Sequence, residues 1–359
     1  MRFVMFYHSL VSDWNHGNAH FLRGVVSELQ ARGHDVTVAE PADGWSRANL
    51  LREHGPQPLE EFRTLFPHLQ SIAYVDAPLD LHELLCDADA VLVHEWNAPA
   101  LIARIGEYHR QNPNFQLLFH DTHHRAVSSP DEIAQFDLSH YDAVLAFGES
   151  LRRCYCRTHP HLRSYTWHEA ADTRVFRPHR NGSFPYDLVW VGNWGDDERS
   201  AELHEFLLSP ARQNGLRGCI HGVRYPEQAL AAVRDAGLEY KGWLPNYRVP
   251  QLFSQALFTV HVPRRPYVRM LPGIPTIRVF EALACGIPLI SAPWLDCEGL
   301  FTAGKDYLVA RDSHEMQSHM RALHHDPFLR GELAAHGLQT VLLRHTCGHR
   351  VDELLDILQ

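Results

Sequence analysis

Short apolar runs separated by amphipathic stretches set the rhythm of the chain. Residues 3–7 form one such run, and residues 19–32 place Phe21, Leu22, Val25, Val26 and Leu29 at helical spacing before Gly33-His34 interrupts them. A second run covers 35–39. Strand, polar loop, helix and strand in that order open a parallel, doubly wound sheet. Further strands are predicted over 90–94, 115–119 and 143–147, with a helix over 99–111, while 41–78 is irregular with helical patches. The alternation predicts an α/β domain ending near residue 170.

The Gly/Pro/polar stretch 178–185 reads as a linker or domain edge, after which the alternation restarts. Strands are predicted over 187–191, 218–223 and 257–262, and helices over 202–208, 228–236 and 249–255. In the stretch 271–295 a Pro/Gly turn leads into a helix over 276–285; Gly286 takes the C′ position, Pro288 prevents continuation, and 287–291 reads as a buried strand. A last strand over 307–310 precedes helices over 313–324, 327–345 and 349–358. Two α/β halves of similar size put the expected binding site in the cleft between them, at the carboxyl ends of strands.

A length of 359 residues suits two domains, and 45% hydrophobic with 21% charged residues is ordinary globular composition. The net charge of −10 makes a phosphate backbone a poor partner for the surface as a whole, so general nucleic-acid binding is not expected. Seven scattered cysteines without a C-x-x-C pair indicate neither a disulfide framework nor a zinc ribbon. No signal-peptide pattern opens the chain, and the longest apolar stretch, 282–295, is broken by Gly286, Pro288 and Pro293 and is too short to span a bilayer. A cytoplasmic protein, monomeric or dimeric, is the expectation.

Four loops at predicted strand ends carry candidate chemistry. The first, 8–20, holds Gly17-Asn18 before a helix, a candidate phosphate or hydroxyl cradle, and Asp13, His16 and His20, candidate general bases. With 27 histidines in the chain, each is weighed against a structural role. The second loop, His120-Asp121-Thr122-His123-His124-Arg125, has metal-ligand chemistry; hydrogen bonding of a polar substrate by His120 and His123 is the favoured reading, and no metal is expected. In the third, Gly192 and Gly195 let a backbone approach a ligand, and Asp196, Asp197 and Glu198 read as capping charges at a helix start. The fourth joins Tyr240-Lys241-Gly242-Trp243, suited to a nucleobase, to Arg264, Arg265 and Arg269, suited to phosphate oxygens. Glu281 lies in the apolar helix and is costly unless paired. It fits either a phosphorylated, hydroxyl-rich ligand at the helix start or a surface pair with Arg278 at i,i+3.

Residues 169–178, Glu-Ala-Ala-Asp-Thr-Arg-Val-Phe-Arg-Pro, resemble the interdomain signature of the group 1, family 4-type glycosyltransferases. Residues 280–290 resemble the donor-binding helix of that group and 300–309 its next loop and strand. Gly192-Asn193 and the arrangement Arg278-Val-Phe-Glu281 are most similar to the spore-maturation type. The resemblance covers most of 165–312; before residue 160 it rests on element order and His120-Asp121. It implies a GT-B fold, in which two Rossmann-like α/β domains face a central cleft. The acceptor-binding domain spans 1–172, the nucleotide-sugar-binding domain 173–345, and a helix over 346–359 crosses back to the first.

By position, the resemblance implies that Glu281 holds ribose hydroxyls, that Gly242-Trp243 flank the base, and that Thr276, Ile277 and Arg278 present the helix start to the diphosphate. Gly192, Asn193, Arg199, Arg264 and Arg265 complete the donor set, and Gly17, Asn18 and His20 form the acceptor or phosphate loop. Asp13, His16, His120, Asp121 and His123 are the catalytic candidates. The implied reaction is metal-independent transfer of a sugar from a nucleotide diphosphate, UDP favoured, to an acceptor hydroxyl on a small molecule, glycan or protein. The nucleotide sugar is a co-substrate, and no cofactor is expected. Two departures stand out: Gly273 occupies the place of the first of two glutamates in retaining members, and Asn193-Trp194-Gly195 replace the usual Arg and Lys. They keep two alternatives in view, a GT-B-fold nucleotide-sugar epimerase and a non-catalytic sugar-nucleotide-binding subunit.

Overall fold

The computed structural model describes residues 1–75, 79–179 and 183–359; the end of the irregular stretch 41–78 and the middle of the predicted linker 178–185 lie outside the described residues. The chain divides into two compact units, one formed by Met1–His168 with Cys347–Gln359 and the other by Glu169–Thr346.

The first unit is built on seven strands: β1 (Arg2–Phe6), β2 (Asp35–Pro41), β3 (Ser71–Tyr74), β4 (Ala90–His94), β5 (Gln116–Asp121), β6 (Ala143–Ala146) and β7 (Arg163–Thr166). They lie in the order β3-β2-β1-β4-β5-β6-β7, every neighbouring pair parallel. β4 and β6 are buried along their whole length, because helices cover both faces of a parallel sheet, and their sequences are accordingly unbroken apolar runs. The edge strands β3 and β7 are partly exposed and lack that signature. Helix Ala19–Ala31 turns Phe21, Leu22, Val25, Val26 and Leu29 inward. Against it packs the C-terminal helix Cys347–Ile357, tied to the unit by Arg32 Nη1 on Asp352 Oδ1 (2.5 Å) and by Trp167 Nε1 donating to the Arg350 carbonyl (2.8 Å).

The second unit has six strands: β8 (Tyr186–Val191), β9 (Gly218–His221), β10 (Leu238–Tyr240), β11 (Ala256–His261), β12 (Leu289–Ser291) and β13 (Leu308–Val309). Their order, β10-β9-β8-β11-β12-β13, repeats the first six positions of the other sheet, again with parallel pairs. Leu188, Trp190, Phe258, Val260 and Ile290 from the strands meet Phe206, Met316, Met320 and Leu323 from the helices in its core. Helix Ile277–Ala284 ends as expected at Gly286, whose φ of 65° lets Ile287 N–H reach the Ala282 carbonyl (3.2 Å). In a sheet of this order the direction of winding reverses beside the first strand, so a crevice opens within each sheet, after β1 and β4 in the first unit and after β8 and β11 in the second. No helix among the described residues is long and apolar enough to cross a membrane.

Candidate functional site

In the second unit, candidate groups gather at the carboxyl ends of β8 and β11. Thr276 precedes helix Ile277–Ala284 without capping it by its side chain; its Oγ1 instead bonds His261 Nε2 (3.1 Å) at the end of β11. His261 Nδ1 bonds Ser291 Oγ (2.9 Å), and burial, with the nearby Arg199 charge, pushes the imidazole down to about 3, so it is neutral. Glu281 is fully buried; Oε1 accepts from Asn246 Nδ2 (2.8 Å) and Oε2 pairs with Arg278. The i,i+3 pair is therefore present, but its carboxylate lies in the interior, not on the surface. Two partners make such burial tolerable. The Ile277 N–H at the helix start is bonded to the Glu169 carboxyl. Burial, then the Glu281 charge, raises Glu169 to about 8, and its Oε1 has no partner.

Arg199 reaches back over the loop after β8. Nη1 donates to the Val262 carbonyl (3.1 Å), and Nη2 to the carbonyl (2.7 Å) and Oδ1 (2.8 Å) of Asn193. All these acceptors are neutral, Nε has no partner, and burial, with Arg264 close by, pushes the guanidinium down to about 9. Arg264 also touches Asn193 Oδ1 (3.1 Å), while pairing with Glu198; Arg265 pairs with Glu202 (2.7 Å) and bonds the Asp197 carbonyl. The acidic run 196–198 thus serves the arginines and not the helix start: Glu198 holds Arg264, Asp196 holds Arg224 (3.0 Å), and helix Ser200–Leu203 has no side-chain cap.

Gly242 is fixed after β10 by its carbonyl, which accepts from Gly222 N–H (2.9 Å). Trp243 beside it is partly exposed, and the same segment continues to Asn246 and so to Glu281. The Gly192 carbonyl accepts from Tyr225 Oη (3.0 Å). At Gly273 φ is 91°, and a Cβ there would lie 2.6 Å from Cys297 Sγ and 3.1 Å from Glu298 Oε1. No glutamate fits at 273, and a carboxylate from the following loop stands beside that place.

In the first unit the candidates converge at the ends of β1, β4 and β5. His120 Nδ1 bonds Tyr7 Oη (3.0 Å), and its ring lies 5.3 Å from that of His94. His94 Nε2 bonds Thr122 Oγ1 (2.9 Å), which also receives the Asn18 amide. His16 and His8 rings meet edge-on at 4.9 Å. Burial pushes His120 down to about 3 and, with Arg125, His8 to about 4; it holds His16 and His94 well below the ordinary value. His16 Nε2, His94 Nδ1 and His120 Nε2 have no partner. Beside these neutral rings Glu95 pairs with Arg125, and Asp121 accepts from Tyr155 Oη (2.7 Å) and His123 N–H (2.9 Å). Burial raises Glu95 to about 8 and Asp121 to about 6.

Not every candidate joins this cluster freely. Asp13 is ion-paired with Arg23 (2.8 Å), so its carboxylate is already engaged by a guanidinium. Asn18 spends its amide on Thr122, His20 is buried on the first turn of helix Ala19–Ala31, and Gly17 is half-buried. His123 meets Trp96 edge-on (5.3 Å) and lies tilted beside His124 (4.1 Å). No group of three or more His, Cys, Asp or Glu able to hold a metal lies among the described residues. His94-Glu95 and Asn246 join these clusters without being sequence candidates, and His261, at the head of the arginine loop, does so through Thr276 and Ser291. A polar pair closing the apolar run 90–93 was the available signal for the first; the other two show only through their partners.

Residues 199–356 match the family described as Glycosyl transferase-like. No curated protein sequence matches the chain. Among solved structures, sucrose-phosphate synthase of Thermosynechococcus elongatus superposes with a TM-score of 0.67 at 14% identity, covering 99% of this chain and 98% of that one. An α-glucosyltransferase solved with UDP and DNA gives 0.71 at 14% identity, covering 100% and 99%. HepE of Anabaena, solved with UDP-glucose, gives 0.68 at 13% identity, covering 99% and 100%. The match is to the family at large; the narrower spore-maturation likeness rests on a few residues. Residues 199–356 match the glycosyl transferase-like family, and the chain as a whole shares the GT-B fold of these glycosyltransferase structures.

Proposed function

We propose that this glycosyltransferase-family protein moves a sugar from a nucleotide diphosphate sugar, UDP favoured, to an acceptor hydroxyl, the second unit holding the donor and the first the acceptor. The observation that carries the reading is Arg199, a half-buried guanidinium bonded to neutral oxygens alone. Glu198 and Glu281 offset the neighbouring charges of Arg264 and Arg278, which leaves Arg199 as the uncompensated cation of the group. A diphosphate supplies the counter-charge. The start of helix Ile277–Ala284 and the guanidiniums then offset the charge that develops on the departing nucleotide without a divalent ion.

Further support comes from the donor class: UDP-glucose is bound by HepE and UDP by the α-glucosyltransferase of the same fold. Arg199 stands in for the basic pair that Asn193-Trp194-Gly195 lack, and Glu298 for the glutamate that Gly273 lacks. Glu281, held by Asn246 and Arg278, is placed to share its carboxylate with ribose hydroxyls, with Trp243 beside the base. In the first unit, Asp121 is the expected proton acceptor whose basicity lies nearest neutrality, and His16 and His120 offer Nε2 to the acceptor hydroxyl.

Incubation with UDP-, GDP- and ADP-sugars tests the reading. Release of UDP with sugar passed to water or an added acceptor is the expected result. Donor isomerisation without release would instead mark an epimerase, and thermal stabilisation without turnover a binding subunit.

A further inference from the structure

Two tryptophans on the first unit stay open to solvent beside the imidazole cluster. Trp45 is 45% exposed and Trp96 39%, although both rings are held in place. Trp14 packs edge-on against Trp45 at 5.0 Å and is itself anchored by Nε1 on Glu53 (2.8 Å). The Arg125 guanidinium covers Trp96 at 4.2 Å, with His123 at 5.3 Å. His8 lies within reach of both, 6.5 Å from Trp45 and 5.7 Å from Trp96, and His16 stands edge-on behind it with Nε2 unpartnered and buried. Large aromatic rings that are both rigid and exposed are poor for solubility and good for binding, because little side-chain entropy remains to be lost.

The chemistry of the surroundings selects the ligand. Burial, and then Arg125, keep His8 neutral at pH 7, and the Arg125 charge is itself engaged by Glu132 and by the Trp96 face that it covers. The place therefore has no spare positive charge to draw in an anionic group. Neutral imidazoles each donate and accept one hydrogen bond, which matches a hydroxyl. A flat apolar ring face beside hydroxyl-matching nitrogens suits a molecule with an apolar C–H face and a hydroxylated rim.

We propose that Trp45, Trp96 and His8 form an acceptor subsite for a neutral sugar ring, so that the acceptor is a carbohydrate. The inference rests on the reading that the first unit receives the acceptor. The indoles pack on the ring's C–H face while His8 bonds its hydroxyls.

An array of neutral and acidic mono- and oligosaccharides, probed with the labelled protein in saturating UDP, tests it, alongside calorimetric titration of UDP. The wild type should bind at least one neutral glycan; Trp45→Ala and Trp96→Ala should each weaken that binding tenfold or more. Trp96→Phe, which keeps a ring under Arg125, should retain most of it, and UDP affinity should stay within twofold throughout. Absence of neutral-glycan binding by the wild type, binding only of acidic or aromatic probes, or unchanged binding in both alanine variants would overturn the subsite while leaving the donor reading intact. Failure of the wild type to bind UDP would strike the donor reading instead, and this inference with it.

Discussion

Arg199 Nη2 donates to both the carbonyl (2.7 Å) and the side-chain Oδ1 (2.8 Å) of Asn193, six residues earlier in the chain. The arrangement carries a guanidinium to a position where the sequence itself offers only an amide. It also leaves a half-buried cation without a carboxylate, which is costly in the absence of an anion.

Because of that cost, Arg199→Met should leave thermal stability unchanged or raise it. Methionine fills a similar length and removes the uncompensated charge. Thermal unfolding of the two proteins side by side checks this, and a midpoint several degrees lower in the variant would count against the charge argument.

Glu281 should behave in the opposite way. Its alanine variant deprives Arg278 and Asn246 of their shared partner, at a cost of about 3 kcal/mol. Glu281→Gln keeps an oxygen for Asn246 and should cost about 1 kcal/mol. Urea unfolding curves measure both, and equal stabilities would mean that the buried pair contributes nothing.

The pH dependence of stability has two limbs of opposite sign. Glu169, raised to about 8 by burial and Glu281, stays protonated in the folded chain where the unfolded chain's carboxyl is ionised. The folded state then holds more protons between about 4.5 and 8, so stability falls as pH rises through that window, by up to about 1.4 kcal/mol per unit. Glu95 acts in the same direction. His8 and His120, lowered to about 4 and 3, act oppositely: below about 6.5 the unfolded chain binds more protons, and stability falls as pH drops. Glu169→Gln should flatten the alkaline limb and spare the acid one. Thermal midpoints from pH 5 to 8.5 decide it; an unaltered alkaline slope would show that Glu169 is ionised in the fold.

Sugar transfer should persist in EDTA, since the guanidiniums and the helix start supply the charge a divalent ion would otherwise bring. Loss of activity in the chelator and its recovery with Mg²⁺ or Mn²⁺ would refute the metal-independent account.

Much of this fold is legible as apolar runs because parallel strands are covered on both faces. The runs at 90–94 and 143–147 become β4 and β6 for that reason. The edge strands β3 and β7 are held by pairing on one side and carry polar and exposed residues, so periodicity does not reveal them. The helix expected over 202–208 runs from Ser200 but opens into a π turn over His204–Leu208, a backbone choice with no side-chain signature. At the candidate site, Glu281 and His120 stand out in the sequence as polar residues in apolar company. Asn246, His261 and the pairing of Glu198 with Arg264 do not, because each depends on a partner distant along the chain. The acidic run 196–198 reads as capping for the same reason: its arginine partners, Arg224, Arg264 and Arg265, are distant along the chain.

The donor reading depends on the binding of a nucleotide diphosphate by Arg199 at the carboxyl ends of β8 and β11 in the second unit. Calorimetric titration of UDP into the wild type and Arg199→Met tests it most directly. Loss of a charge-assisted bond to phosphate predicts an affinity lower by about 10- to 100-fold in the variant. UDP binding of equal strength in the two proteins, or none in the wild type, would contradict the account.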